Sequence, residues 1–140
     1  MWTIEQRVGR LIEARVGSPI AVSDLEAFGE RLGELTARFN ERGQRWLGCT
    51  DLSLANVFPP NVADGFIRLM QRDNPSVERS AFLIGSSAVF ALQIERMLKQ
   101  SNSPSRRTFR EPEPLIEWLG ELLTPPERER TRQFLISRKF

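Results

Sequence analysis

The stretch Ser80–Leu98, SAFLIGSSAVFALQIERML, decides the fold class that this sequence predicts. Ala81 to Ile84 form an apolar run with the length of a buried strand, and Gly85-Ser86-Ser87 then predicts a turn. The following segment predicts an amphipathic helix, because its large apolar residues recur at helical spacing: Phe90, Ile94, Met97 and Leu98. A strand that leads directly into a helix is the repeating unit of α/β domains.

Strand and helix patterns precede this unit along the chain. Period-two alternation from residue 2 to residue 16, interrupted at Gly9-Arg10, predicts a β-hairpin with one solvent-facing side. The capping-box pattern Ser23–Glu26 predicts the start of a long amphipathic helix. Residues 46–51 read as a buried strand, and Pro59-Pro60 predicts the start of the next helix.

Further elements follow the unit. Residues 107–110 predict a short last strand, and Pro112 opens another helix. Thr124–Glu127 is a second capping box, and it begins a terminal helix over residues 125–138 with few large apolar side chains. The chain therefore predicts an α/β fold: a mixed, mostly parallel sheet of about five strands with covering helices, an N-terminal β-hairpin at its edge and an extra C-terminal helix.

Composition limits the classes of protein to consider. The chain has 140 residues, of which 40% are hydrophobic and 27% charged, and this balance is typical of a globular domain. It has no apolar run long enough to span a membrane and no secretory signal pattern. Its single cysteine fits a reducing cytoplasm, and its lack of histidine argues against a metal site or an enzyme with a histidine base. We expect a cytoplasmic, non-enzymatic protein without a cofactor.

The order of elements resembles the STAS-like family, specifically its SpoIIAA-like branch. The resemblance covers about residues 3–122 and is carried by the opening strand pair and by four later segments: Asp51–Ser53 at a strand end, Val57–Asn61 leading into a helix, Ala81–Gly85, and the strand at Arg107–Arg110. It implies a domain that works through partners or bound ligands. We predict that this domain covers residues 1–123 and that residues 124–140, outside the resemblance, are a helical extension of it.

The resemblance does not extend to a phosphoserine switch. In phosphorylatable members of the family, a serine at the start of the second helix is the switch. Here the matching stretch, Phe58-Pro59-Pro60-Asn61, has no hydroxyl side chain.

A candidate ligand site lies where two predicted strands end. Asp51 and Ser53 follow one strand, and Gly85, Ser86 and Ser87 follow another at the start of a helix. Ligands of α/β folds bind at the carboxyl ends of strands, and helix amino termini attract anions. The alternatives are that Asp51 accepts backbone amides in a turn and that Ser86 or Ser87 caps the helix.

Two further segments are candidates for partner contact. Arg106, Arg107 and Arg110 form a basic cluster that could contact a partner or phosphate groups, although alternation also fits three solvated arginines. Phe134 and Leu135 lie on the terminal helix, whose composition suits a dimer or partner surface better than a core.

We expect a regulatory or protein-interaction module, with a protein partner and a possible homodimer. The alternative is a small-ligand or lipid-binding module with a cleft near Asp51 and Gly85–Ser87. A third possibility, binding of nucleic acid through the basic C-terminal half, is weaker because mixed charge is ordinary on a solvated surface. Neither a metal nor a membrane is expected as a partner.

Overall fold

A five-stranded mixed sheet lies between two layers of helices in the computed structural model, which describes residues 1–138 and Phe140. The strands are β1 (Trp2–Gln6), β2 (Leu11–Val16), β3 (Trp46–Asp51), β4 (Val77–Leu83) and β5 (Arg106–Phe109). The helices are α1 (Val22–Glu41), α2 (Pro60–Asp73), α3 (Ala88–Gln100), α4 (Pro112–Gly120) and α5 (Pro125–Ser137).

The strands lie side by side in chain order. β1 is antiparallel to β2, and β2, β3, β4 and β5 are mutually parallel. Gly9 makes the hairpin turn between β1 and β2 with a φ of +56°, a conformation that favours glycine. The predicted α/β class, the mixed sheet, the hairpin at its edge and the extra C-terminal helix are therefore confirmed.

The first core lies between one face of the sheet and α1, α2 and α3. It is built from alternate strand residues, from the apolar faces of the helices, which include Phe28, Phe66 and Phe90, and from Phe58 in the loop before α2. The ring centres of Phe58 and Phe90 are 5.3 Å apart in an edge-to-face contact, which favours aromatic pairs beyond their burial. These three helices hold the ends of the parallel strands and the loops between them in place.

The second core lies on the opposite face, under α4 and α5. Leu11, Leu47, Cys49 and Leu83 from the strands meet Leu115, Leu119 and the end of α5. The prediction that one side of the hairpin faces solvent is wrong for β2, because α5 covers that side of the strand. Glu13 and Arg15, which belong to that side, are each only 3% exposed.

The terminal helix belongs to this protomer's own core. Its capping box is present: Glu127 donates its backbone N–H to the Thr124 hydroxyl, and its carboxylate accepts the N–H of Thr124. Phe134 and Leu135 are buried against the sheet, at 5% and 0% exposure. The hypothesis that these two side chains contact a partner is therefore wrong. Lys139, within the predicted 124–140 extension, lies outside the described residues.

Two predicted boundaries also differ from the structure. α1 begins at Val22, and Asp24 rather than Glu26 accepts the free backbone N–H, from Ala21 at 2.9 Å. β4 begins at Val77, before the apolar run, because its first residues pair with β3 in spite of their charges. No helix in the part of the chain that the structure describes is long and apolar enough to cross a bilayer.

Candidate functional site

The carboxyl ends of the parallel strands bring the predicted ligand-site residues together. Asp51 ends β3, Ser53 follows it, and Gly85 lies in the loop after β4. A Cβ at Gly85 would lie 3.4 Å from the carbonyl oxygen of Ser53, so the two loops are in direct backbone contact. The sequence-based grouping of these residues therefore matches their positions in space.

Asp51 is a structural residue of this region. Its carboxylate accepts the Nε–H of Arg15 at 2.8 Å and the backbone N–H of Ser53 at 2.9 Å, and its side chain has no exposed surface. Arg15 also donates to the carbonyl of Phe134 at 2.6 Å, and its guanidinium lies 4.2 Å from the centre of the Phe134 ring. This buried ion pair joins β2, β3 and α5, which leaves the carboxylate closed to a ligand.

A second ion pair lies next to the first on β2. The Glu13 carboxylate accepts two hydrogen bonds from the Arg130 guanidinium, at 2.7 and 2.9 Å. The hydrogen bond to Glu13 raises the pKa of Arg130 above its ordinary value. Cys49 lies between these charges in the sheet, and burial, with Asp51 and Glu13 nearby, raises the pKa of its thiol. The thiol is therefore neutral and unreactive in the folded protein.

The loop before α3 satisfies its helix end internally. The Ser87 hydroxyl accepts the backbone N–H of Phe90 at 3.2 Å, which makes Ser87 the N-cap of α3. Ser86 is exposed, and the Ser53 hydroxyl is buried without a hydrogen-bond partner among the described residues. Ser87 therefore has the capping role that was the alternative to an anion contact. Of the three serines predicted to bind an anion, Ser86 alone has an exposed hydroxyl that is not used as a cap.

The same end of the molecule carries an unusual surface, which we call the uncharged end. Three segments form it, residues 16–23, 52–63 and 84–94, and none of them contains a charged side chain. Two hydrogen bonds between the Gln93 side chain and the backbone of Phe58, both 2.8 Å long, join the second and third segments. The backbone N–H of Ser18 donates to the Leu54 carbonyl at 3.2 Å and joins the first segment to the second. Four of the exposed large hydrophobic residues of the described chain lie on these segments, Leu54, Val57, Val89 and Leu92, and Met1 and Phe140 lie beside Gly17.

Contacts between these segments and both termini show that they form one surface. Gly17 donates its backbone N–H to the carbonyl of Met1, and a Cβ at Gly17 would lie 3.1 Å from the Phe140 ring and 3.7 Å from Leu54. Val89 and Leu92 lie one turn apart on α3, at 66% and 67% exposure. Sequence reasoning missed this surface, although the charge-free runs that signal it are visible in the sequence.

No family model matches the chain, and no curated protein matches it. A solved structure that it resembles is that of an uncharacterized protein of the DUF3478 family, with a SpoIIAA-like fold, from Shewanella loihica PV-4. The two superpose with a TM-score of 0.63 over 85% of this chain and 92% of that one, at 12% sequence identity.

The fold is SpoIIAA-like. The resemblance stated from the sequence is confirmed at the level of fold, since a match at this identity shows the fold alone. α2 begins at Pro60 with Pro59 as its N-cap residue, and the first residues of this helix carry no hydroxyl group.

The predicted basic cluster is divided between the two sides of the SpoIIAA-like sheet. Arg106 points to the side of α2, where it donates to Asn74 at 3.2 Å. Arg107 lies on the other side, with its guanidinium 5.6 Å from the Phe109 ring centre and 5.9 Å from that of Trp118. Arg110 is exposed. The three arginines therefore do not form one continuous patch, which removes the geometric basis for a shared contact with nucleic acid or a partner.

Proposed function

We propose that this SpoIIAA-like protein is a non-enzymatic protein-interaction module and that the uncharged end is its contact surface. The observation that carries the proposal is the collection of exposed apolar side chains on three charge-free segments at one end of the fold. A contiguous apolar patch on a folded domain is typical of a binding surface. Depletion of charge is also the compositional mark of the core of protein interfaces.

The chemistry of this surface favours a protein over a membrane. Attachment to a bilayer surface draws on Lys and Arg side chains that meet anionic lipids. The three segments of the uncharged end have none. The surface is instead rich in apolar groups such as Leu54 and Leu92, with neutral polar groups such as Asn56 and Ser86 between them.

The partner that we propose is a second copy of this chain. Two surfaces whose three segments carry no charged side chain meet with little like-charge repulsion, and a twofold interface requires a surface that fits itself. The three segments expose fourteen residues and leave five more half-buried, close to the lower end of the 20–30 residues that a standard interface uses on each side. This proposal keeps the predicted homodimer. It places the dimer surface on the uncharged end instead of on the terminal helix.

A non-enzymatic role is supported by the state of the ionisable groups beneath the surface. Asp51 and Glu13 are bound in buried ion pairs with Arg15 and Arg130, so neither is free to exchange a proton with a substrate. With no histidine in the chain, the hydroxyls of Ser53 and Ser86 have no imidazole base to activate them. We place the protein in the cytoplasm because its only cysteine is an unpaired, buried thiol.

Light scattering on the purified chain tests the proposal. We expect the mass of a dimer, and we expect Leu92→Glu to dissociate it, because the substitution puts a charge into the centre of the apolar contact. Gln100→Glu is the matched control: it adds the same charge to an exposed position of α3, at the other end of the helix. Its mass should stay that of a dimer.

Two outcomes would overturn the proposal. A wild-type chain that is monomeric at the highest attainable concentration excludes the second copy as partner. A dimer that Leu92→Glu and Gln100→Glu leave equally intact excludes the uncharged end as the surface. Circular dichroism of both variants shows whether the fold is retained.

A further inference from the structure

The sheet has two edge strands, and β1 is the less protected of them. β1 and β5 are the first and last strands in the order of the sheet, so each has one side without a neighbouring strand among the described residues. β5 is only four residues long and carries Arg106 and Arg107, and short, charged strands are a usual protection of sheet edges. β1 begins with the uncharged residues Trp2, Thr3 and Ile4. Its edge is therefore the one that another strand can join.

The hydrogen-bond pattern of the hairpin shows which backbone groups of β1 point outward. Gly17 donates its backbone N–H to the Met1 carbonyl at 2.8 Å, so these two residues form a hydrogen-bonded pair. Such pairs alternate with non-bonded pairs along antiparallel strands, which directs the backbone groups of Thr3 and Glu5 to β2. The N–H and C=O groups of the alternate residues of β1 therefore point away from the sheet: Trp2, Ile4 and Gln6.

These outward backbone groups specify the kind of molecule that can bind. Donors and acceptors follow one another along the edge at the repeat of a strand, and a second extended polypeptide presents the complementary groups at the same repeat. A helix has already used its backbone groups internally, and a lipid chain has none. The edge of β1 therefore selects an extended peptide.

A groove follows the whole of this edge. All five residues of β1 line it, together with Arg31 and Leu35 of α1. Trp2 and Leu35 are half-buried and pack against the first core. Directly paired residues of neighbouring strands point to the same side of a sheet, so a residue opposite Ile4 would lie beside Trp2 and Leu35. This side of the edge therefore favours apolar residues in an added strand.

A second groove lies on the other side of β1, toward α5. Thr3 and Glu5 line it from the strand, and Arg7 and Arg130 line it with side chains that are 54% and 26% exposed. Glu5 binds Arg7 at 2.6 Å, and the bonds to Glu13 use two of the five N–H donors of Arg130. Both guanidinium groups thus keep donors for a further acceptor. This side of the edge favours acidic residues in an added strand.

From these features we infer that the edge of β1 binds an extended segment of a partner protein as an added antiparallel strand, with apolar residues toward α1 and acidic residues toward α5. Antiparallel pairs are slightly more stable per residue than parallel ones. The main-chain hydrogen bonds give affinity, and the two grooves give specificity for the alternating side chains. This site does not depend on the proposed dimer, whose surface is the uncharged end.

A synthetic peptide of alternating valine and aspartate, acetyl-TVDVDVT-amide, is the probe for this site. Nuclear magnetic resonance of the full chain should show a saturable shift of the backbone amide signals of β1 as the peptide is added. Hydrogen exchange gives the direct readout: the Ile4 N–H should exchange about tenfold more slowly in saturating peptide. The N–H groups of Thr3 and Glu5, which already bond to β2, should change little.

Methylated peptides test the main-chain contact. In an antiparallel pair the N–H groups of the valines, which lie opposite the outward residues of β1, point to the sheet, and those of the aspartates point to solvent. N-methylation of the central valine should therefore weaken binding about tenfold, and N-methylation of an adjacent aspartate should leave it nearly unchanged. Equal affinity of the two methylated peptides would overturn the inference, and the reverse order would overturn its antiparallel direction.

Protein variants locate the peptide on the chain. Arg7→Glu reverses a charge in the groove toward α5 and should weaken the peptide about threefold, whereas Arg68→Glu makes the same change at an exposed position of α2 and should not. Leu92→Glu should bind the peptide like the wild type, which separates this site from the dimer surface. The inference is overturned if no amide of β1 responds to the peptide. It is also overturned if the peptide converts a dimer into monomers, because a second copy would then occupy the edge.

Discussion

Removal of the Asp51 carboxylate should destabilise the protein more than the loss of any surface ion pair does. Asp51→Ala leaves the Arg15 guanidinium, 3% exposed, without the carboxylate that lies 2.8 Å from its Nε. Breaking a buried pair by removing one partner costs about 3–5 kcal/mol, because a desolvated charge stays behind. The backbone N–H of Ser53 also loses its acceptor, which adds about 1 kcal/mol.

The expected loss of about 4–6 kcal/mol is a large part of the 5–15 kcal/mol that stabilises a typical domain. At about 3 °C per kcal/mol for a chain of this size, the melting temperature should fall by roughly 12–18 °C. Urea unfolding followed by circular dichroism gives the free energy directly. Glu5→Ala is the control: it breaks the pair with Arg7, whose two side chains are about half exposed, and should cost at most about 1 kcal/mol.

The double variant Arg15→Met/Asp51→Leu tests the cause. It removes both charges together, so we expect it to be more stable than Asp51→Ala by about 2 kcal/mol or more. Its remaining deficit comes from two backbone groups that lose their partners, the Phe134 carbonyl and the Ser53 N–H. The explanation is refuted if Asp51→Ala loses no more unfolding free energy than Glu5→Ala. It is also refuted if the double variant is less stable than Asp51→Ala, because the charge left on Arg15 would then not be the cause of the loss.

Three further predictions concern single groups. The hydrogen bond from Arg10 lowers the pKa of Glu78, so this bond stabilises the fold above about pH 4.5, the ordinary value, and its contribution is lost as the pH falls. Glu78→Gln should therefore narrow the difference in unfolding free energy between neutral and acid solution. An unchanged difference would contradict this. Cys49 should resist alkylation in the native protein at pH 8 and react once urea unfolds it, as mass spectrometry can show; rapid native labelling would contradict its burial. Thr124→Ala should cost about 1 kcal/mol in urea unfolding through loss of the α5 capping box with Glu127, and no loss would show that the cap is not used.

Much of the fold could be predicted from the sequence because local patterns determine it. The alternation in the hairpin, the prolines at helix starts and the capping box at Thr124 each report on neighbouring residues. The error on β2 has a non-local cause. Glu13 pairs with Arg130, 117 residues further along the chain, and no pattern near Glu13 shows that a late helix will cover it.

The candidate site was predictable only in part. The topology brings Asp51 and Gly85 to one end of the sheet, and strand ends alone indicated that grouping. The partner of Asp51, however, is Arg15 of β2, and the charge of Arg15 had suggested that its side chain faces solvent. Likewise, the apolar run around Trp46 gives no sign that its buried N–H finds no acceptor among the described residues, since that depends on every side chain packed around it.

The late position of α5 in the chain has a consequence for synthesis. The strands pair with their neighbours in sequence, so we expect the sheet to assemble progressively as the polypeptide leaves the ribosome. Before α5 is synthesised, the side of β2 that it later covers exposes Glu13 and Arg15 to water instead of a continuous row of apolar side chains. The two charges that are buried in the finished protein would then act earlier as gatekeepers against aggregation of the nascent chain.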